Sequence, residues 1–389
     1  MLRKFIRKIR KKDVVYNITS GRTDLCNTAL VYYKTGPFVS KRASRSYRHT
    51  NMWEIQEMVL LLNQLGFRVD VVDRATADFV PENKYDLFIG LTSGGSSRYF
   101  KKYAQLLTNA CVIALATTTE PSVAQQRSAA RYKEFTERTG IDAPVLRDFS
   151  TGFTDVNSFV DYIFCFGDEK SFSYQSYVKY GKPIYPLLPG TSPDISFSPQ
   201  WLQTRKRNHF LCFAGNGFIH KGVDMVVEAF LKMPECSVTI CGPDTEESFF
   251  EAYKEKIETA SNITYEGFID VGGKRFNELA SECSYVVLHS SSEGCCTSVA
   301  TAMRAGLVPV VNRETGVQTG DFGFLMTNDD DTIGDIVRTV RHASQISKEE
   351  YAQRVYATLE QATNYSQASF TQSFSKALLT VLGRESKFQ

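Results

Sequence analysis

Residues 209–232 read HFLCFAGNGFIHKGVDMVVEAFLK. His209–Ala214 is a short apolar run of strand length, and it breaks at Gly215-Asn216-Gly217. From Lys221 to Lys232, Val223, Val226, Val227 and Phe230 fall on one face of a helix. A buried strand that runs through a glycine loop into an amphipathic helix is half of a βαβ unit, and such units build parallel sheets. The loop also has a chemistry. Glycines let backbone approach a ligand, the first turn of a helix has N–H groups without partners, and Lys221 adds a point charge. Together Gly215, Asn216, Gly217, Lys221 and Gly222 suit a diphosphate, although a βα turn with a solvated lysine is the alternative.

The same rhythm extends in both directions. Thr28–Tyr33 (TALVYY) predicts a strand. A loop with Gly36-Pro37 follows, then a helix over Met52–Leu65 that stops at Gly66, then the strand Phe67–Asp73. Tyr85–Leu91, Cys111–Ala116 and Tyr162–Phe166 are further strands, and each runs into small or turn residues, which leaves a crevice at the carboxyl ends where α/β sheets bind ligands. Five of the twelve prolines lie between Pro183 and Pro199, marking an interdomain linker. Beyond it come strands at Cys236–Cys241, Ser284–Leu288 and Leu307–Asn312, and a helix from about Gly294 to Ala305. Ser347-x-x-Glu350 is a capping box, and a last helix carries Phe370, Phe374, Leu378 and Val381. With 389 residues, two domains are expected. The reading is a basic segment at 1–24, a Rossmann-like domain at 25–186, a linker at 187–207, a second such domain at 208–365 and a C-terminal helix at 366–389, expected to pack back on the first domain.

Composition excludes several classes. No run of 18 apolar residues is present, so no spanning helix is expected. The formal charge of +2 includes seven basic residues and no acid in Met1–Lys12, so the rest of the chain is net acidic and has no nucleic-acid footprint. Within that segment Leu2, Phe5, Ile6 and Ile9 form an apolar stripe among cations, the pattern of a helix on an anionic membrane surface; a frayed, solvated terminus is the alternative. The nine cysteines include no C-x-x-C pair and sit mostly in apolar runs, as core residues of a reducing compartment do. Cys295 and Cys296 fall at a helix start, where the dipole favours a thiolate, but packing is the preferred reading. The expected location is cytoplasmic, peripheral to the inner face of a membrane.

The second chemical stretch is Leu288–Met303, LHSSSEGCCTSVATAM. A strand delivers Ser290–Ser292, Glu293 and Gly294, and a helix follows with Thr297 and Ser298 in its first turn. A carboxylate there can hold sugar hydroxyls, and the first-turn amides can take a phosphate. The alternative is that Glu293 only favours the helix dipole.

From about residue 205 to 330 the chain resembles the retaining group 1 glycosyltransferases, family 4 of the sequence classification. The resemblance rests on Lys221-Gly222, Ser290-Ser-Ser-Glu-Gly294, Ala302-Met-Arg-Ala-Gly306 and Val308-Pro-Val-Val311, in that order. Ser46–Trp53 and Phe67–Asp73 resemble the acceptor-side domain of that group more weakly. The resemblance implies an α/β fold of the GT-B kind, two Rossmann-like doubly wound parallel-sheet domains facing across a cleft. It further implies that Lys221 holds the donor diphosphate, that Glu293 with Ser292 binds the donor sugar, and that Gly294, Thr297 and Ser298 complete a phosphate cradle. Three positions depart from the pattern. Thr301 stands where the family has a second, ribose-binding glutamate; Asn216 stands where it has an arginine; and Thr117-Thr-Thr119 stands where many members place a histidine. His49, with Thr50 and Gly36 on the acceptor side, is the candidate to fill that last role, against a capping or surface histidine.

The expected function is transfer of a sugar from a nucleotide diphosphate to a glycan, lipid-linked or polysaccharide acceptor, with retention and with no bound metal or other cofactor. Asp329-Asp330-Asp331 matches D-x-D, but it precedes the helix Thr332–His342 and reads as a cap. The five histidines lack ligand spacing. The competing readings are a non-catalytic nucleotide-sugar binder, supported by Asn216 and Thr301, and a nucleotide-sugar epimerase.

Overall fold

The computed structural model describes residues 13–40, 50–92, 97–147, 149, 157–327 and 330–384. The amphipathic reading of residues 1–12, the role expected of His49 and the first carboxylate of the D-x-D string lie outside these. The described chain forms two sheets. The first contains β1 (Val14–Ile18), β2 (Asn27–Tyr33), β3 (Phe67–Asp73), β4 (Leu87–Leu91), β5 (Cys111–Ala116), β6 (Tyr162–Phe166) and β7 (Ile184–Leu187), in the order β1-β3-β2-β4-β5-β6-β7. The second contains β8 (Lys206–Phe213), β9 (Ser237–Cys241), β10 (Ile263–Gly267), β11 (Cys283–Leu288), β12 (Val308–Asn312) and β13 (Phe324–Met326), in the order β10-β9-β8-β11-β12-β13. Each pairing is parallel except β1 with β3. The central strands are apolar throughout because helices cover both of their faces: Leu30, Val31 and Tyr32, like Val286, Val287 and Leu288, are fully buried.

Six helices matter for the site: α1 (Thr50–Gln64), α2 (Pro121–Thr139), α3 (Val223–Leu231), α4 (Thr297–Arg304), α5 (Thr332–Gln345) and α6 (Gln367–Val381). The expected α/β architecture holds, with corrections at its borders. Val14–Ile18, expected within a basic segment, is an antiparallel edge strand on β3. The linker is shorter than 187–207, since β7 runs to Leu187 and β8 starts at Lys206. Gly36 opens a short helical turn, Gly36–Val39, rather than an open loop. Asp331 does cap α5, accepting from the Gly334 amide at 3.0 Å, and Ser347 caps the next helix as its capping box predicts.

The two cores exchange helices. α6 leaves the second domain and packs Phe370, Phe374, Ala377 and Leu378 into the core of the first, beside Ile55, Met58 and Leu62 of α1. Trp53 meets Phe370 edge-on at 5.5 Å. In the opposite sense, α2 belongs to the first domain by sequence but buries Tyr132 and Phe135 in the core of the second, with Phe218, Phe249 and Tyr253. The cysteines are all unpaired, and all but exposed Cys26 and half-buried Cys111 are buried in the cores. Burial raises the Cys295 thiol well above its ordinary range, overriding any helix-start effect.

One buried acid makes stability depend on pH. Glu54 on α1 is 2% exposed, and its Oε1 accepts from the Gly190 amide at 3.4 Å. Burial pushes its carboxyl up to about 8, with the Gly190 amide and Lys34 pulling the other way. A folded-state value above the unfolded one means the folded protein holds this proton where the unfolded chain has lost it. Its contribution is therefore complete below about 4.5 and fades as pH rises through about 8. Glu54→Gln keeps the acceptor oxygen and removes the titration. Its melting temperature is expected to gain on the wild type steadily from pH 5 to pH 8.5, whereas two parallel curves would exclude Glu54 as the source.

Candidate active site

The second sheet reverses its winding between β8 and β11. From β8 the chain moves outward through β9 to β10, and from β11 it moves the other way through β12 to β13. Loops at the carboxyl ends of such a pair diverge and leave a crevice. The loop after β8 carries Gly215, Asn216, Gly217 and Lys221, and the loop after β11 carries Ser292, Glu293 and Gly294. Although 72 residues apart in sequence, Lys221 and Glu293 meet, and the Lys221 ammonium donates to Glu293 Oε1.

Glu293 is held from several directions. Ser290 Oγ donates to its Oε1 at 3.1 Å, its amide donates to the Glu314 carbonyl at 2.9 Å, and its carbonyl accepts from Thr119 Oγ1 of the first domain at 2.8 Å. Burial alone would raise the carboxyl, but Lys221, and after it Arg147, hold it well below the usual carboxylate range. It is an anion at every pH of interest. Next to it, Ser292 Oγ is buried and finds no hydrogen-bond partner among the described residues, which leaves an unsatisfied hydroxyl in the site.

Gly294 answers to close packing. A Cβ there would lie 2.4 Å from the Thr117 carbonyl oxygen, so the first domain's backbone rests directly on it. Thr117–Thr119, which stand where a histidine was expected, therefore close the seam through backbone and hydroxyl contacts. Gly222 has φ +68°, and a Cβ would lie 2.2 Å from the His289 carbonyl oxygen; only glycine fits. The amides of Lys221, Gly222 and Val223 donate to the carbonyls of Gly217, Ile219 and Phe218, so these three are already satisfied within the loop. The helix expected from Gly294 begins only at Thr297, with Cys296 at the N-cap position and its amide tied to the Thr315 carbonyl at 2.8 Å. Thr297 and Ser298 do occupy its first turn, whose amides have no partner inside the helix. Thr301 is buried in the same helix. Thr50, expected on the acceptor side, is the first residue of α1.

α2 and the loop after it supply residues that no motif announced. Arg127 donates to the Ser291 carbonyl at 2.9 Å and pairs with Glu314 at 3.0 Å. Arg131 donates to the His289 carbonyl at 2.9 Å and lies 3.0 Å from His289 Nδ1. Burial and then Arg131 lower His289 to about 3, so the ring is neutral and Nδ1 accepts. His220 is likewise neutral through burial and the nearby Arg147; its Nε2 lies 3.0 Å from the Ser292 carbonyl oxygen. Glu120-Pro121, a cap followed by a first-turn proline, is the one sequence signal that could have marked the start of α2. Among the described residues no cluster of three metal-ligating side chains occurs, and no helix is long and apolar enough to cross a membrane.

Residues 194–320, which include both loops, match the profile of the family described as Glycosyl transferases group 1. No curated protein matches the chain. The solved sucrose-phosphate synthase from Thermosynechococcus elongatus superposes with a TM-score of 0.65 at 11% identity, over 92% of this chain and 100% of that one. The structure described as trehalose-6-phosphate from E. coli bound with UDP-2-fluoro glucose gives 0.58 at 8% identity, over 93% and 100%. WaaG, a glycosyltransferase involved in lipopolysaccharide biosynthesis, gives 0.54 at 13% identity, over 92% and 100%. The likeness is one of fold: two parallel-sheet α/β domains arranged as in the GT-B glycosyltransferases.

Proposed function

We propose that this chain is a glycosyltransferase that moves a sugar from a nucleotide-diphosphate donor to a glycan, lipid-linked or polysaccharide acceptor, with retention and without a metal. The observation that carries this reading is the meeting of Lys221 and Glu293 at the winding reversal of the second sheet, under the first domain. When the glycosidic bond breaks, negative charge grows on the leaving diphosphate, and donors already fixed there lower the barrier without rearranging. The Lys221 ammonium and the amides of Thr297 and Ser298 are such donors. Among the described residues, the Lys221 ammonium, Ser290 Oγ and the Arg147 guanidinium all approach the Glu293 carboxylate at Oε1, an arrangement that suits Oε2 to a hydroxyl of the donor sugar.

The reading is tested by binding. UDP, GDP, ADP and their sugars are to be compared in a thermal-shift screen; one base series should raise the melting temperature by several degrees at saturating ligand, and sugar transfer or donor hydrolysis should follow with the same series. A flat response to every nucleotide would remove the proposal. Attachment to a membrane through residues 1–12 is a separate part of it. Deleting residues 2–12 should move the protein from the membrane to the soluble fraction, and unchanged partition would end that part alone.

A further inference from the structure

A diphosphate site needs a surplus of positive charge, and the pair just described has none, because Lys221 and Glu293 cancel. Sequence offers no second cation in the loop, since Asn216 occupies the position where related loops carry arginine. The structure supplies one from the other domain. Arg147, in the loop that follows α2, places its guanidinium over the glycine loop: one terminal nitrogen lies 3.5 Å from Glu293 Oε1 and the other 3.4 Å from the Asn216 carbonyl oxygen. A Cβ on Gly217 would stand 3.6 Å from Arg147 Nε. Both polar contacts are long, and the side chain is 28% exposed, so the guanidinium keeps N–H groups to spare. His220, neutral, adds no charge, and Arg127 is committed to Glu314 at 3.0 Å. Among the described residues, Arg147 is thus the cation that turns this cluster net positive.

We infer that Arg147 is a donor-binding residue, reaching across the domain seam to hold the diphosphate and replacing the cation absent at position 216. The inference rests on the donor-site reading above. It makes the anion site a composite of both domains, complete only when they are closed on each other. A planar guanidinium can grip two phosphate oxygens at once, which the single ammonium of Lys221 cannot.

The experiment compares affinities for UDP, GDP, ADP, CDP and dTDP with those for the matching monophosphates, in the full-length wild type, Arg147→Ala, Arg147→Ala/Asn216→Arg and Lys221→Ala. Arg147→Ala should weaken the diphosphate of the preferred base roughly tenfold or more while the monophosphate changes little. Adding Asn216→Arg should restore most of the loss, because the new guanidinium enters the same loop from the other side. An unchanged diphosphate affinity in Arg147→Ala, or an equal loss for mono- and diphosphate, overturns the inference; if Lys221→Ala in the same series still loses diphosphate affinity, the donor-site reading survives. Failure of both variants to alter binding, or a wild type that binds none of the five diphosphates, overturns the reading and the inference together.

Discussion

Replacing Lys221 by alanine is expected to lower kcat/KM on the order of 100-fold or more. The loss has two parts. The ammonium is 6% exposed at its side chain, so the field it exerts on a bound diphosphate is little screened by water. Its removal also frees Glu293, whose carboxylate would then face the phosphates with Arg147 as its one remaining ion-pair partner among the described residues, and the pair would be neutral where the trio attracts an anion. Lys221→Arg should recover part of the activity, since the charge returns with a different shape. Initial rates with the donor identified by the binding screen measure the effect, and activity within a few-fold of wild type would refute the role of Lys221. The melting temperature provides a control, because a general collapse would lower it along with the rate.

Arg138→Met is expected to destabilise the protein by about 3–5 kcal/mol. Arg138 on α2 pairs with Asp224 in the first turn of α3 and with Glu228 at 2.9 Å, and it donates to the Tyr253 hydroxyl at 3.0 Å. Asp224 is fully buried. Its charge is tolerated because a guanidinium sits against it, and truncating the arginine removes the largest compensation of a carboxylate in a low-dielectric interior, leaving it the weaker field of Arg131. Scanning calorimetry should show the melting temperature falling by roughly 10 °C. Arg138→Met/Asp224→Asn should recover much of that loss, because the stranded charge goes with its partner. A single variant within a degree of wild type would mean that the pair contributes nothing to holding α2 in place.

The two predictions mark what was and was not legible from the sequence. Lys221, Glu293, Gly294 and the helix at Thr297 could be read because strand, glycine loop and helix follow one another within a few residues, and local pattern carries that information. Nine of the thirteen described strands were legible to within three residues for the same reason, whereas β7, β10 and β13 were not read. Gly222 was legible as a motif residue but not in its role: its positive φ and the His289 carbonyl above it are products of packing, not of spacing. The edge strand Val14–Ile18 was hidden behind a basic terminus, and one polar residue, Asn17, holds φ +58° within it. Arg127, Arg131, Arg138 and Arg147 were invisible because each acts across 69 or more residues of sequence. On a helix with a conventional cap, arginines read as a solvated face until the neighbouring domain is known to cover them.

The exchange of helices between the cores has a practical reach. Recombining such proteins at the proline-rich stretch near residue 190, the natural choice from sequence, would leave α2 with one parent and the pocket for Tyr132 and Phe135 with the other, and would part α6 from α1 in the same stroke. A chimaera that keeps both interiors whole must carry residues 121–147 with the second domain and residues 367–381 with the first, or accept mismatched packing at both junctions.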